Sequence, residues 1–60
     1  MRKARDFDTW AAEASRELAN LGMPMLDAKH VPYDKEEWFR REFDAGEDAA
    51  MTAQEWFSNN

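Results

Sequence analysis

The chain predicts an all-α fold, a small three-helix domain spanning residues 1–60, and three observations point to it. First, Ala4, Phe7, Ala11, Ala14, Leu18 and Leu21 repeat at a 3-4-3-4-3 spacing, one apolar stripe on an α-helix. Second, the two glycines, Gly22 and Gly46, fall where such periodic segments end, as helix stops do. Third, Tyr33-Asp34-Lys35-Glu36-Glu37-Trp38-Phe39 and, eighteen positions later, Met51-Thr52-Ala53-Gln54-Glu55-Trp56-Phe57 share one pattern. Each offers an apolar residue, a capping residue, two spacers and then Glu-Trp-Phe. Asp34 or Thr52 can accept from a free N–H in the first turn, and Glu37 or Glu55 can reach back to the cap, completing a capping box. Tyr33 with Trp38, and Met51 with Trp56, have the spacing of a hydrophobic staple.

The first helix is expected over 6–20. Gly22 ends it in a left-handed conformation, Met23 folds back on Leu18, and Pro24 prevents resumption. Three of the six stripe positions are alanine, which lets a second helix approach closely. That helix belongs either to the same chain or to a second copy, in which case helix one makes a homodimer. Trp10 lies beside the stripe, widening the buried face or standing half exposed at a contact. Residues 22–33 form the connector, where Pro24 and Pro32 deny a continuous helix; Met23, Met25, Leu26 and Val31 make it a loop that covers the core.

The second helix is expected over 35–45, with Trp38, Phe39 and Phe43 on its buried side. Arg40 and Arg41 are placed to pair with Glu36, Glu37 and Asp44 at about 0.2–0.5 kcal/mol per pair. The third begins at 49 under an Asp48 cap or at 52, where Thr52 stands at the cap position, and ends at 58. The second and third helices form a hairpin around Gly46.

At this length a chain buries only about 60% of its unfolded surface, so its stability margin is thin. There are no cysteines, hence no disulfides or thiolate metal sites, which fits a reducing cytoplasm. Eight aromatic rings compensate, each burying roughly 150–250 Å². Any ring left over after the core is filled marks an interface. No run approaches the roughly 20 apolar residues of a membrane span. Arg2, Lys3 and Arg5 lead into Asp6, Phe7 and Asp8 rather than an apolar segment, so they do not form a secretory signal. The expected location is the cytoplasm of a bacterium or a phage-infected cell.

Charge divides the chain. Residues 1–33 carry five acids and five bases, while 34–60 carry eight acids against Lys35, Arg40 and Arg41, which accounts for the net charge of −5. The acidic half suits either plain solubility or a basic partner surface. A net negative chain is a poor nucleic-acid binder by itself, because neutralised phosphates supply that affinity. The exception is a basic edge of Arg2, Lys3, Arg5 and Arg16 touching phosphate.

No catalytic, cofactor-binding or metal-binding residues are expected. His30 is the sole histidine, in a proline-flanked segment without an acidic neighbour at ligand spacing. Asp44, Glu47 and Asp48 do not follow the calcium-loop spacing. Ser15 and Ser58 lack a base beside them. The expected site is a partner-binding one: Trp10, Trp38, Phe39, Phe43, Trp56 and Phe57 as aromatic anchors, with Glu36, Asp44, Glu47 and Asp48 orienting the partner.

The run Glu37-Trp38-Phe39-Arg40-Arg41-Glu42-Phe43-Asp44-Ala45-Gly46, followed by Thr52-Ala53-Gln54-Glu55-Trp56, resembles the toxin-binding tails of type II antitoxins. The resemblance implies a basic toxin as partner and Trp38, Phe39, Phe43, Trp56 and Phe57 as groove anchors. The chain departs from that family in residues 1–33, which show neither a ribbon strand nor a helix-turn-helix for DNA. In size, acidity and lack of cysteine it also resembles small accessory proteins of temperate phages and other mobile elements. That resemblance implies binding and redirection of a single host or viral protein.

Overall fold

The computed structural model describes residues 6–59 and is built from helices alone among them. In chain order these are α1 (Phe7–Asn20), α2 (Met25–Ala28), α3 (Val31–Asp34), α4 (Glu36–Asp44) and α5 (Ala49–Ser58). The three main helices of the sequence reading are present. The connector is the difference: in place of a covering loop it folds into two single turns, α2 and α3. Pro24 caps the first and Pro32 sits inside the first turn of the second, positions where a missing N–H costs nothing. Ala28 and Pro32 are buried, so tertiary contact stabilises turns that are too short to persist alone.

Helix ends follow the local chemistry in most places. The Thr9 N–H donates to Asp6 Oδ1 at 2.9 Å, starting α1. At its end Gly22 takes φ 118°, its N–H donates to Ala19 O at 3.1 Å, and the Met23 N–H donates to Leu18 O at 3.1 Å. This pair of bonds is a Schellman stop. Gly46, at φ 84°, repeats it at the end of α4, with Gly46 N–H donating to Phe43 O and Glu47 N–H to Glu42 O, both at 3.0 Å.

The twin Glu-Trp-Phe runs, alike in sequence, fold differently. Asp34 does not cap α4. It ends α3 with its N–H donated to His30 O at 2.8 Å, so its backbone is helical rather than extended, as a cap requires. Lys35 takes the cap position with no side-chain bond. In the second run, Asp48 starts the helix and accepts from the Met51 N–H at 3.2 Å. Thr52 is buried one turn inside, its hydroxyl donating to Asp48 O at 2.8 Å. The earlier start buries Ala49, Thr52 and Ala53, a gain that a start at Thr52 would forfeit. Met51 and Tyr33 are exposed. Tyr33 lies edge-on to Phe7, ring centroids 5.9 Å apart.

Two long-range hydrogen bonds fix the topology. Trp10 Nε1–H donates to Glu47 O at 2.9 Å, and Gln54 Nε2–H donates to Glu17 Oε2 at 2.9 Å. Both join residues 37 apart, so α1 and α5 run parallel in constant register. Ala11 and Ala14 of α1 and Ala49 and Ala53 of α5 are buried. With so little side-chain bulk between them, these two backbones form the most extensive helix pair of the fold. The described part of the alanine stripe is thus covered by the chain's own helices, and self-association through α1 would have to use its other face.

The helix α4 returns antiparallel to α1. Phe43 meets Phe7 and Trp10 with centroids 5.5 Å away, and Phe39 lies between Trp10 at 6.4 Å and Trp56 at 6.1 Å. The Phe39–Trp56 contact also closes the expected α4–α5 hairpin around Gly46. Phe7, Trp10, Leu18 and Phe39 are the large members of the core. Among the described residues, no buried side-chain nitrogen or oxygen lacks a hydrogen-bond partner.

Candidate partner-binding surface

The six expected anchors separate into core and surface. Trp10 is 3% exposed and Phe39 is 0% exposed. Trp10 packs on Phe7, Phe39 and Phe43 and spends its indole N–H on Glu47 O. These two rings hold the fold together and are out of reach of a partner, which corrects their assignment as anchors. Phe43 is half-buried against Phe7 and Trp10 and is also mainly structural.

Trp38 and Trp56 are half-buried, and both rest on Phe39. The Trp38 ring stands edge-on to it at 5.1 Å and the Trp56 ring is tilted over it at 6.1 Å. One buried ring therefore seats two indoles from different helices. Phe57, 38% exposed, follows Trp56 on the last turn of α5. Immobilised aromatic rings make good anchors because little side-chain entropy remains to be lost on binding.

The four orienting acids are also unequal. Glu36 accepts from Arg40 Nη2 at 3.0 Å, and this exposed pair contributes little by itself. The guanidinium of Arg40 also lies over the Phe7 ring, 4.3 Å from its centroid. Asp48 is occupied as the cap of α5. Asp44 and Glu47 flank the Gly46 turn with exposed side chains. Asp44 ends α4, where the macrodipole is negative, so the turn between α4 and α5 combines acidic side chains with a negative helix end.

Among the described residues no group of three His, Cys, Asp or Glu side chains could hold a metal ion. No described helix is long and apolar enough to cross a membrane. Arg2, Lys3 and Arg5 of the proposed basic edge lie outside the described residues. Arg16 instead lines a cleft between α1, α2 and α3, together with Asp8, Ala12, Ser15, Met25, Lys29 and Tyr33.

The sequence reading passed over that cleft. Its only available signal was spacing: Asp8, Ala12 and Arg16 recur every four residues on α1, and Met25 and Lys29 do the same on α2 and its cap. At one end the Tyr33 hydroxyl donates to Asp8 Oδ1 at 2.8 Å. This hydrogen bond to Asp8, with partial burial and the nearby carboxylates of Asp6 and Glu36, raises the phenol pKa above its ordinary value. No protein-family model, curated protein or solved structure matches the chain.

Proposed function

We propose that this chain is a non-enzymatic, all-helical binding protein that grips one protein partner through the α4–α5 hairpin. Trp38, Trp56 and Phe57 are the anchors, and the carboxylates around Gly46 orient a basic partner surface and speed the encounter. The observation carrying this reading is the seating of Trp38 and Trp56 on one buried ring, Phe39. It gives two large apolar surfaces from different helices a fixed spacing, as central interface anchors require. The eight acids against three bases of residues 34–60 supply complementarity to a cationic surface and a salt-sensitive association rate. The action is occlusion or bridging, in the manner of phage or mobile-element accessory proteins that act on a host or viral protein.

Affinity capture from cells that contain the natural partner tests this. The intact protein should retain one dominant species, and Trp38→Ala or Trp56→Ala should release it while circular dichroism stays unchanged. Retention by both variants would remove the indoles from the mechanism.

A second reading narrows the partner to a small basic toxin, neutralised in the manner of an antitoxin. The acidic hairpin with its half-buried indoles favours it, although Phe39, one of that family's expected anchors, is core here. A short basic open reading frame beside this one in the genome is required, and its absence ends the reading.

A further inference from the structure

The cleft between α1, α2 and α3 has a chemistry opposite to that of the hairpin. It encloses about 340 Å³, within the lower range of small-ligand and side-chain pockets. Arg16 and Lys29 both line it. Among the described residues neither is drawn into an ion pair, although the chain carries 13 carboxylates. The one carboxylate on the wall, Asp8, already accepts the Tyr33 hydroxyl, and Glu17 is turned toward Gln54 of α5. The rest of the lining is apolar or small. Ala12 is small and exposed, Ser15 is buried, and Met25 projects at 52% exposure with Tyr33 at 47%. Leu26, beside Met25 on α2, is the most exposed large apolar residue among those described.

Exposed methionine beside unpaired cations is an arrangement suited to a mixed ligand. The thioether adapts to differently shaped apolar groups, and the two cations attract carboxylates while leaving their apolar stems available for contact.

From this charge pattern we infer that the α1–α2–α3 cleft is a second docking site, for an acidic peptide segment in which a leucine-like side chain is flanked by carboxylates. The apolar side chain enters over Ala12 against Met25 and Tyr33, and the flanking carboxylates meet Arg16 and Lys29. The site uses different elements from the α4–α5 hairpin and stands whether or not that hairpin binds anything. Where both operate, the chain bridges a basic partner and an acidic one.

The test is amide chemical-shift mapping on the full chain at low salt with two blocked peptides. One is acetyl-Glu-Glu-Leu-Glu-Leu-amide, and the other has every glutamate replaced by lysine. Saturable shifts centred on Ala12, Ser15, Arg16, Met25, Lys29 and Tyr33 are expected with the glutamate peptide only, weakening as salt is added. Arg16→Glu with Lys29→Glu should lower the affinity roughly ten-fold or more. Met25→Ala, which removes an exposed side chain and leaves the charges and the fold in place, should weaken binding independently. The inference is overturned if both peptides act alike, if the shifts lie on other elements, or if neither variant weakens binding. It is likewise overturned if inorganic phosphate alone reproduces the shifts, or if they track self-association of the chain by light scattering.

Discussion

The indole N–H of Trp10 donates to the backbone carbonyl of Glu47 at 2.9 Å, tying the first helix to the turn before the last one. That carbonyl is partly buried and accepts no other side-chain hydrogen bond among the described residues. The bond therefore settles two things together: the parallel register of α1 and α5, and the removal of Trp10 from the surface.

Trp10→Phe keeps an aromatic ring in the core and removes the donor. Leaving Glu47 O unpaired should cost about 1–3 kcal/mol, read as a lower midpoint in urea denaturation. Trp10→Ala adds a cavity and should cost about 3–5 kcal/mol, close to everything a core of this size supplies, so that variant should be largely unfolded. A loss below about 0.5 kcal/mol for Trp10→Phe, within the range of surface changes, would mean that the bond does not hold α5 in register.

The two Glu-Trp-Phe runs make opposite predictions for their caps. Asp48→Ala removes the acceptor for the Met51 N–H and should cost about 1 kcal/mol. Asp34→Ala removes a side chain that caps nothing, since Lys35 occupies that place, and should stay within about 0.5 kcal/mol. Equal losses at both positions, measured by thermal or urea denaturation, would restore the capping box at Asp34 and contradict the helix start assigned here.

Much of this was legible in the residues and some was not, for physical reasons. Both glycine stops could be read because a left-handed residue after a periodic segment is a local requirement, met by two hydrogen bonds within about six consecutive residues. The stripe Phe7, Ala11, Ala14 and Leu18 could be read because burial follows helical periodicity. Asp34 misled because its local signal is the same as that of a true cap, and only the single turn α3, sustained by the burial of Pro32, takes its backbone out of the extended region. The sorting of Trp10 and Phe39 inward, and of Trp38 and Trp56 to the boundary, depends on contacts between different helices, Trp10 with Glu47 and Phe39, and Phe39 with Trp56. No local pattern encodes those contacts. The cleft was missed because its lining comes from three elements, two of which the sequence presented as a loop.

Gly46 needs its positive φ for the turn that separates α4 from α5, while a Cβ there would meet nothing within 4 Å. The cost of substitution is therefore backbone strain alone. Gly46→Ala should destabilise by about 1–2 kcal/mol, and D-alanine, placed by chemical synthesis, should abolish that loss or turn it into a slight gain. If D-alanine is as damaging as L-alanine, close contact rather than conformation limits the site.

Tyr33 is the only tyrosine, so its ionisation can be followed alone by near-ultraviolet difference absorbance. The hydrogen bond to Asp8 raises its pKa, and it should titrate above the ordinary value of about 10. The sign follows from linkage: a phenol raised in the folded state contributes stability fully below its unfolded pKa, and that contribution disappears as pH climbs through the folded one. Asp8→Asn should return the titration toward the ordinary value and remove this alkaline dependence. An unchanged titration in Asp8→Asn would show that the carboxylate does not hold the phenol.

The central claim, that the two indoles seated on Phe39 exist to be gripped, is tested most directly by the affinity of the captured natural partner for the intact chain and for Trp38→Ala and Trp56→Ala. Each truncation should weaken binding by about 2 kcal/mol or more, roughly thirty-fold, with helicity preserved. Affinity unchanged within two-fold for both variants, in chains that still fold, would contradict it.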